Sequence, residues 1–275
     1  MADPIITSPA NPRLKPLVGL HRRRCREETG TTLVEGCEEL ALALAAGVRP
    51  HAVYFCSALF GVGGDQGAVI ERARASGAEV TELGRAAFEK VAYREGPDGL
   101  LAVVDGVARG VSDLPASSTG LALVCQAVEK PGNLGAMLRT ADAAGVGAVV
   151  AADPVTDWGN PNVIRASKGT VFSVLVASGT TCETVAWVRR NAISLVVATP
   201  DTDLDYTDVD YTGPVAIAVG AEKHGADSAL LDAAAYRVRI PMFGKANSLN
   251  VAASAAIVIY EAVRQRRARG TVLPP

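Results

Sequence analysis

The second half of the chain is built from short apolar runs separated by helix-length segments, and this alternation restricts the fold more than any other feature. Residues 121–125, 148–151 and 215–219 are apolar almost throughout, and 171–176, 194–198 and 237–240 continue the series. Strands with no alternating polar face are buried on both sides, as in a parallel sheet covered by helices. The intervening helices are expected at 134–144, closed by Gly145, and at 183–191. A last helix at 251–267 carries Val251, Ala255, Val258 and Ala262 on one stripe. The first hundred residues use the same grammar, with strands at 32–34, 52–56, 79–82 and 99–104 and helices at 37–46, 68–76 and 85–93. That is a βαβ start, followed by a glycine-rich turn at 61–67, in a unit of ordinary domain size. Residues 106–120, rich in Gly, Ser, Pro and Ala without apolar periodicity, read as a connector. The expected organisation is α/β: a smaller domain at 1–107, a linker at 108–119 and a parallel-sheet domain at 120–275.

Composition narrows the class. With 275 residues, 49% hydrophobic and 20% charged, the chain has material for one large or two ordinary cores. No apolar run approaches the roughly 18 residues that cross a bilayer, and the N-terminus lacks the basic start and apolar stretch of a signal peptide, so a cytoplasmic address is expected. Cys25, Cys37, Cys56, Cys125 and Cys182 are scattered without a Cys-x-x-Cys pair, and there are three histidines. This spacing argues against a disulfide framework and a zinc site, leaving most cysteines as buried small apolar residues and no metal expected. A formal net charge of −2 gives no overall pull on nucleic acid, so such a partner would need local patches. One candidate is Arg13, Lys15, His21, Arg22, Arg23, Arg24 and Arg26, flanked by Asp3, Glu27 and Glu28. It reads equally as RNA-contacting surface or solvated helix end. The other, Arg264, Arg266, Arg267 and Arg269 with Glu261, reads as a solvated helix C-terminus, where cations are favourable.

The chemistry-bearing motifs lie late in the chain. G-x-G-x-x-G, G-x-x-x-x-G-K-[ST], His-Glu-x-x-His and G-x-S-x-G are all missing, which removes the common dinucleotide, P-loop, zinc-hydrolase and serine-hydrolase readings. What remains is Asn133-Leu134-Gly135-Ala136-Met137-Leu138-Arg139-Thr140, Gly220-Ala221-Glu222-Lys223-His224-Gly225, and Ile240-Pro241-Met242 followed by Ser248-Leu249-Asn250-Val251. Each joins an apolar run to a turn of small or amide-bearing residues, where α/β proteins place backbone donors against a ligand. Singly they are weak. Asn133 is also a good N-cap for a helix starting at 134, Gly220 and Gly225 can open positive-φ turns, and Ser248 or Asn250 can cap the last helix. Arg139 shares a helical face with Gly135, which leaves room for a phosphate or ribose, although it also reads as a surface arginine.

In their joint order the three segments resemble the signature motifs of the TrmH (SpoU) family of RNA ribose 2′-O-methyltransferases, within the SPOUT superfamily. The likeness spans 121 to about 267, and Arg165-Ala166-Ser167-Lys168-Gly169 is similar to the family's arginine-containing turn. Thr32-Leu33-Val34-Glu35-Gly36 and Pro97-Asp98-Gly99-Leu100-Leu101-Ala102-Val103 resemble its N-terminal RNA-binding domain, whose fold is similar to certain ribosomal proteins. The resemblance implies a trefoil-knotted C-terminal parallel sheet, a homodimer, and S-adenosylmethionine as cofactor. It carries cofactor binding onto Thr199, Val219, Gly220, Ala221, Ile240, Met242 and Leu249, and catalytic roles onto Arg139, Asn133, Glu222, Ser248 and Asn250. RNA contact would fall to Arg13, Lys15, Arg22, Arg23, Arg24, Arg26 and Arg165, the last reaching a partner subunit's site. A full N-terminal domain points to 23S ribosomal RNA as substrate, and the chain resembles the resistance methyltransferases of antibiotic-producing actinomycetes, of the avilamycin and thiostrepton type. The alternatives are a tRNA 2′-O-methyltransferase, a non-catalytic knotted RNA-binding dimer, and an unrelated nucleotide-dependent α/β enzyme lacking its glycine signature.

Overall fold

The structure is a computed structural model and describes residues 5–107, 109–115 and 120–270. In chain order the helices are α1 (Lys15–Gly19), α2 (Arg23–Thr29), α3 (Cys37–Ala45), α4 (Gln66–Ala75), α5 (Arg85–Val91), α6 (Pro131–Ala143), α7 (Pro161–Ala166), α8 (Thr181–Arg190), α9 (Ser228–Ala233) and α10 (Val251–Ala268). The strands are β1 (Thr31–Glu35), β2 (Ala52–Phe55), β3 (Glu79–Glu82), β4 (Leu100–Asp105), β5 (Leu121–Gln126), β6 (Ala148–Ala152), β7 (Val176–Gly179), β8 (Ser194–Ala198), β9 (Val215–Val219) and β10 (Tyr236–Val238). They form two compact units, Met1–Val107 with Asp157–Ser173, and Ala108–Thr156 with Val174–Pro275.

In the first unit the sheet order is β1-β4-β2-β3. The opening βαβ is therefore split: β4 lies antiparallel between β1 and β2, and only β2 and β3 are parallel neighbours. Leu100, Leu101, Ala102 and Val104 are all buried, so β4 takes the centre that an apolar run requires. The two N-terminal motifs meet across this sheet. Gly36, with φ of 120°, turns the chain from β1 into α3, and Asp98 Oδ2 accepts from the Cys37 N–H at 2.8 Å while Oδ1 accepts from Leu100 N–H. Glu35 accepts from the Tyr93 N–H at 2.7 Å and faces Arg94 Nε at 3.5 Å, and Arg94 also reaches Asp98 at 3.1 Å.

The sequence predicts one domain over 120–275, whereas 157–173 groups with the first unit. The attachment is polar and close-packed. Asp157 pairs with Arg26 at 2.5 Å, Thr32 Oγ1 donates to the Gly159 carbonyl, and Lys168 Nζ pairs with Glu38 at 2.7 Å. Gly169, at φ +83°, lies so near the Glu39 backbone that an added Cβ would sit 2.9 Å from its carbonyl oxygen. The predicted strand at 171–176 is a 3-10 turn, Thr170–Phe172, with β7 starting only at Val176. Hydroxyls of Thr170 and Ser173 bond to carbonyls three residues back and hold those turns, as Ser and Thr do outside regular ladders.

The second unit is a six-stranded, all-parallel sheet ordered β10-β8-β9-β5-β6-β7. Every residue of β5, β6 and β9 is buried, as runs without a polar face require. Part of the expected linker belongs to this core: Val111 and Leu114 are buried in it, the Leu114 carbonyl accepts from Trp187 Nε1 at 3.2 Å, and Gly110 bridges to Ser178. Residue 108 and residues 116–119 of that linker, like Asp3, lie outside the described residues.

Two further expectations change. All five cysteines are free thiols, but only Cys56 and Cys125 are buried, and Cys182 is exposed on α8. The C-terminal arginine cluster is not simply a solvated helix end: Arg266 is buried and donates to the carbonyls of Tyr211, Gly120 and Gly213, tying loops to α10. Arg264 pairs with Glu261 at 2.7 Å.

Candidate active site

A cavity of about 560 Å³ in the second unit opens at the carboxyl ends of three adjacent parallel strands, whose last residues Ala198, Val219 and Val238 line it. This is where open α/β sheets bind ligands, because the strands stop and the connecting loops part. The volume lies in the usual range for a cofactor-sized molecule, roughly 300–1,000 Å³.

All seven residues assigned to cofactor binding line it: Thr199, Val219, Gly220, Ala221, Ile240, Met242 and Leu249. Gly220 is required for close approach rather than positive φ. The turn after it folds back, with Ala221 and Gly225 exchanging N–H···O bonds at 3.0 and 2.9 Å, so a Cβ on Gly220 would collide with the Gly225 and Ala226 backbone. Gly225 does have positive φ, at 67°.

Four of the five proposed catalytic residues, Asn133, Glu222, Ser248 and Asn250, line the same cavity, and three are joined in a chain. Asn250 is the N-cap of α10: its Oδ1 accepts from the Ala252 and Ala253 N–H groups at 2.9 and 3.3 Å, which orients its Nδ2 outward. That Nδ2 donates to Asn133 Oδ1 at 3.1 Å, and Asn133 Nδ2 donates to Glu222 Oε1 at 2.7 Å. The Glu129 N–H approaches Glu222 Oε2 at 3.4 Å. Burial works against the Glu222 charge, but the Asn133 amide and the backbone N–H groups of Glu129 and Lys130 outweigh it and hold the carboxyl below its ordinary value. Asn133 is thus not an N-cap. Helix α6 begins three residues earlier than expected, with Pro131 at its first turn, and leaves the Asn133 side chain free to face Glu222.

Arg139 does not line the cavity. It is exposed on α6, and six helical residues turn its side chain about 120° from Asn133. Residues that sequence reasoning missed include Lys130, Asp201, His224, Asn247 and Ser254 at the cavity wall. Asp201 follows β8 by three residues and offers a carboxylate suited to hydroxyl donors, a position the strand pattern could have flagged. Among the described residues, no group of three or more His, Cys, Asp or Glu is placed to hold a metal.

The proposed RNA-contacting side chains, apart from the first unit's Arg26, are exposed. Arg13, Lys15, Arg22 and Arg165 stand at the surface, while Arg23 and Arg24 pair with Glu27 and Glu28 at 2.7 Å one turn on. Arg26 does not belong to that surface. It is buried, paired with Asp157, and donates to the carbonyls of Leu20 and His21, so its charge is consumed inside the fold. No helix among the described residues is long and apolar enough to cross a membrane.

The chain is similar to several known proteins. Residues 11–102 match the MRM3-like substrate binding domain. The chain is 35% identical over 187 residues to the 23S rRNA (uridine(2479)-2′-O)-methyltransferase of Streptomyces viridochromogenes, covering 66% of this chain and 65% of that one. It is 30% identical to the 23S rRNA (adenosine(1067)-2′-O)-methyltransferase of Streptomyces azureus, over 94% of this chain and 95% of the relative. The solved structure of the SpoU methyltransferase AviRb from Streptomyces viridochromogenes in complex with the cofactor AdoMet superposes with a TM-score of 0.82 at 29% identity, covering 94% of this chain and all of that one. Since residues 120–260, more than half of the chain, match the family model, the chain belongs to the SpoU rRNA Methylase family.

Proposed function

We propose that this protein transfers a methyl group from S-adenosylmethionine to the 2′-hydroxyl of a nucleotide in 23S ribosomal RNA. The observation that carries this reading is the convergence of three sequence-distant turns, at 220–225, 240–242 and 248–250, on one cavity beside the linked amides of Asn133 and Asn250. The cavity fits the cofactor: apolar strand ends for an adenine face, backbone groups of a tight glycine turn for its edge, and the carboxylates of Glu222 and Asp201 for hydroxyl and cationic groups. The relatives named above are 23S rRNA 2′-O-methyltransferases, and residues 11–102 of this chain match a substrate binding domain.

When bound, S-adenosylmethionine supplies an electrophilic methyl group on a sulfonium sulfur. In the reaction it would serve, a bond from the ribose oxygen to that carbon would replace the carbon–sulfur bond, and the hydroxyl proton would pass to a base or to water. This chain's residues supply alignment and charge. Asn133 and Asn250, locked by the helix cap and by Glu222, present fixed amides to the reacting region. A guanidinium stays protonated near neutral pH, which disqualifies Arg139 as base. Its proposed role is a clamp on the RNA phosphate that also steadies the developing alkoxide, which rests on the motif resemblance and not on its place outside the cofactor cavity.

The same reading includes a homodimer. The loop bounding the cavity exposes Met242, Leu249 and Phe243, the last at 98%, an apolar set that a second copy would cover. The trefoil knot, a cytoplasmic site of action and protection of the ribosome from an antibiotic are further parts of the proposal, and rest on the motif resemblance.

Tritiated methyl transfer to purified 23S, 16S and tRNA pools tests the assignment. Label is expected on 23S rRNA and on none of the other pools, with loss of at least about 10²-fold in Arg139→Ala if it stabilises transition-state charge. Label on tRNA alone would replace the substrate. Absence of saturable S-adenosylmethionine binding by calorimetry would instead favour a non-catalytic RNA-binding dimer.

A further inference from the structure

Tyr93, in the loop between α5 and β4 of the first unit, is 36% exposed although its ring is fixed from several directions. Its backbone N–H is tied to buried Glu35, and the His21 ring meets it edge-on, with centroids 5.0 Å apart and planes at 89°. His21 is itself held by a hydrogen bond between Nε2 and the Val91 carbonyl at 3.0 Å, and Asn162 Nδ2 approaches the Tyr93 hydroxyl at 3.4 Å. Two exposed arginines neighbour these partners in the chain. Arg22 follows His21 directly, and Arg165 lies three residues after Asn162 on α7, hence on the same helical face. Unlike Arg23 and Arg24, neither has an ion-pair partner among the described residues.

A preordered, partly exposed aromatic ring with unpaired guanidinium groups on the elements that fix it is a combination by which proteins hold single-stranded nucleic acid. The base stacks, and the cations take the phosphates on either side. We infer that Tyr93 is a stacking platform for an unpaired base of the RNA substrate, with Arg22 and Arg165 holding the flanking phosphates. This rests on the methyltransferase reading and deepens it: the substrate is a loop or bulge that presents an unstacked base to the first unit, rather than a continuous duplex.

The test is steady-state methyl transfer to in vitro-transcribed 23S rRNA by the full chain and its Tyr93→Phe, Tyr93→Leu and Arg165→Ala variants. Calorimetric titration of each with S-adenosylmethionine monitors the second unit separately. Tyr93→Leu is expected to raise the KM for RNA roughly tenfold with kcat and cofactor affinity unchanged, while Tyr93→Phe, which keeps the ring and loses only the hydroxyl contact, stays within about twofold. Raising salt should weaken the Leu variant as steeply as the parent, whereas Arg165→Ala should lower the salt slope by about one phosphate contact. An unchanged KM in Tyr93→Leu overturns the platform, and so does a Phe variant as poor as Leu, which would make the hydroxyl's hydrogen bond to Asn162 the role of this residue. If the unaltered chain labels no ribosomal RNA, the functional assignment falls first and the platform with it; label on the parent with unaffected variants removes the platform alone.

Discussion

Glu35 and Glu222 occupy comparable places in the two units and have opposite fates. Glu35 ends β1 and Glu222 lies three residues beyond β9; each accepts a backbone N–H from a distant loop, from Tyr93 in one unit and Glu129 in the other. Glu35 is only 6% exposed, and burial pushes its carboxyl above the ordinary carboxylate range despite the Tyr93 N–H and the Arg94 guanidinium. Glu222 stands at a cavity wall, where burial is partial and neutral amide donors keep it charged. A buried carboxylate facing a cation is committed to architecture, because its lone pairs and its neighbours are already enclosed. A carboxylate held by neutral donors in an open wall keeps lone pairs for a ligand. The first organises the loop that bears Tyr93, and the second organises the amides at the proposed reaction site.

The largest expected effect separates these roles by stability. Glu35→Ala leaves the Tyr93 N–H without its acceptor and the Arg94 guanidinium with Asp98 as its remaining carboxylate, and should cost about 3 kcal/mol in denaturant unfolding, whereas Glu222→Ala should cost no more than about 1 kcal/mol. Equal losses would erase the distinction. Activity should separate them the other way: Glu222→Ala is expected to lower methyl transfer on the order of 10²-fold while the chain stays folded, the scale of losing one positioned hydrogen-bonding group in an active site. A Glu222→Ala enzyme with parental kcat would make that carboxylate structural too. Asn250→Asp is a finer probe. The carboxylate can still cap α10, but it offers Asn133 an acceptor where a donor stood, so Asn133 must turn its own oxygen toward Glu222. Activity should fall roughly tenfold with little change in melting temperature, because N-cap aspartate and asparagine are nearly equivalent.

The legible part of this fold was the part whose signal is local. Uninterrupted apolar runs such as 121–125 and 215–219 gave the parallel sheet, since burial on both faces leaves no other pattern. The motif resemblance, carried by turns that follow strands, pointed to the cavity-lining residues from Thr199 to Leu249. Non-local chemistry was not legible. Arg26 looked like one more surface cation because its partner Asp157 is 131 residues away, and Arg266 looked like a helix-end charge because carbonyls carry no sequence signature. The split of β1 and β2 by β4, and the placement of 157–173 in the first unit, depend on pairings that no periodicity encodes. Asn133 shows a subtler limit: Pro131 moved the helix start by one turn and converted an expected cap into a donor for Glu222.

The smallest effect is also the most diagnostic, because its sign differs between the two carboxylates. Glu35 has a folded-state pKa raised above 4.5, so between that value and the raised one the native state holds more protons than the unfolded chain. Its contribution therefore favours the folded state at low pH and is lost as pH rises through the folded value. Glu222 is lowered below 4.5, so its contribution is present above the unfolded value and is lost as pH falls through the folded one. Relative to the parent, Glu35→Gln should gain stability as pH rises through the window above 4.5, and Glu222→Gln should gain it as pH falls through the window below. Melting curves of the three proteins across mildly acidic pH would show difference slopes of opposite sign. Slopes of one sign would mean that Glu222 is as enclosed as Glu35, and hence unavailable to any ligand in the cavity beside it.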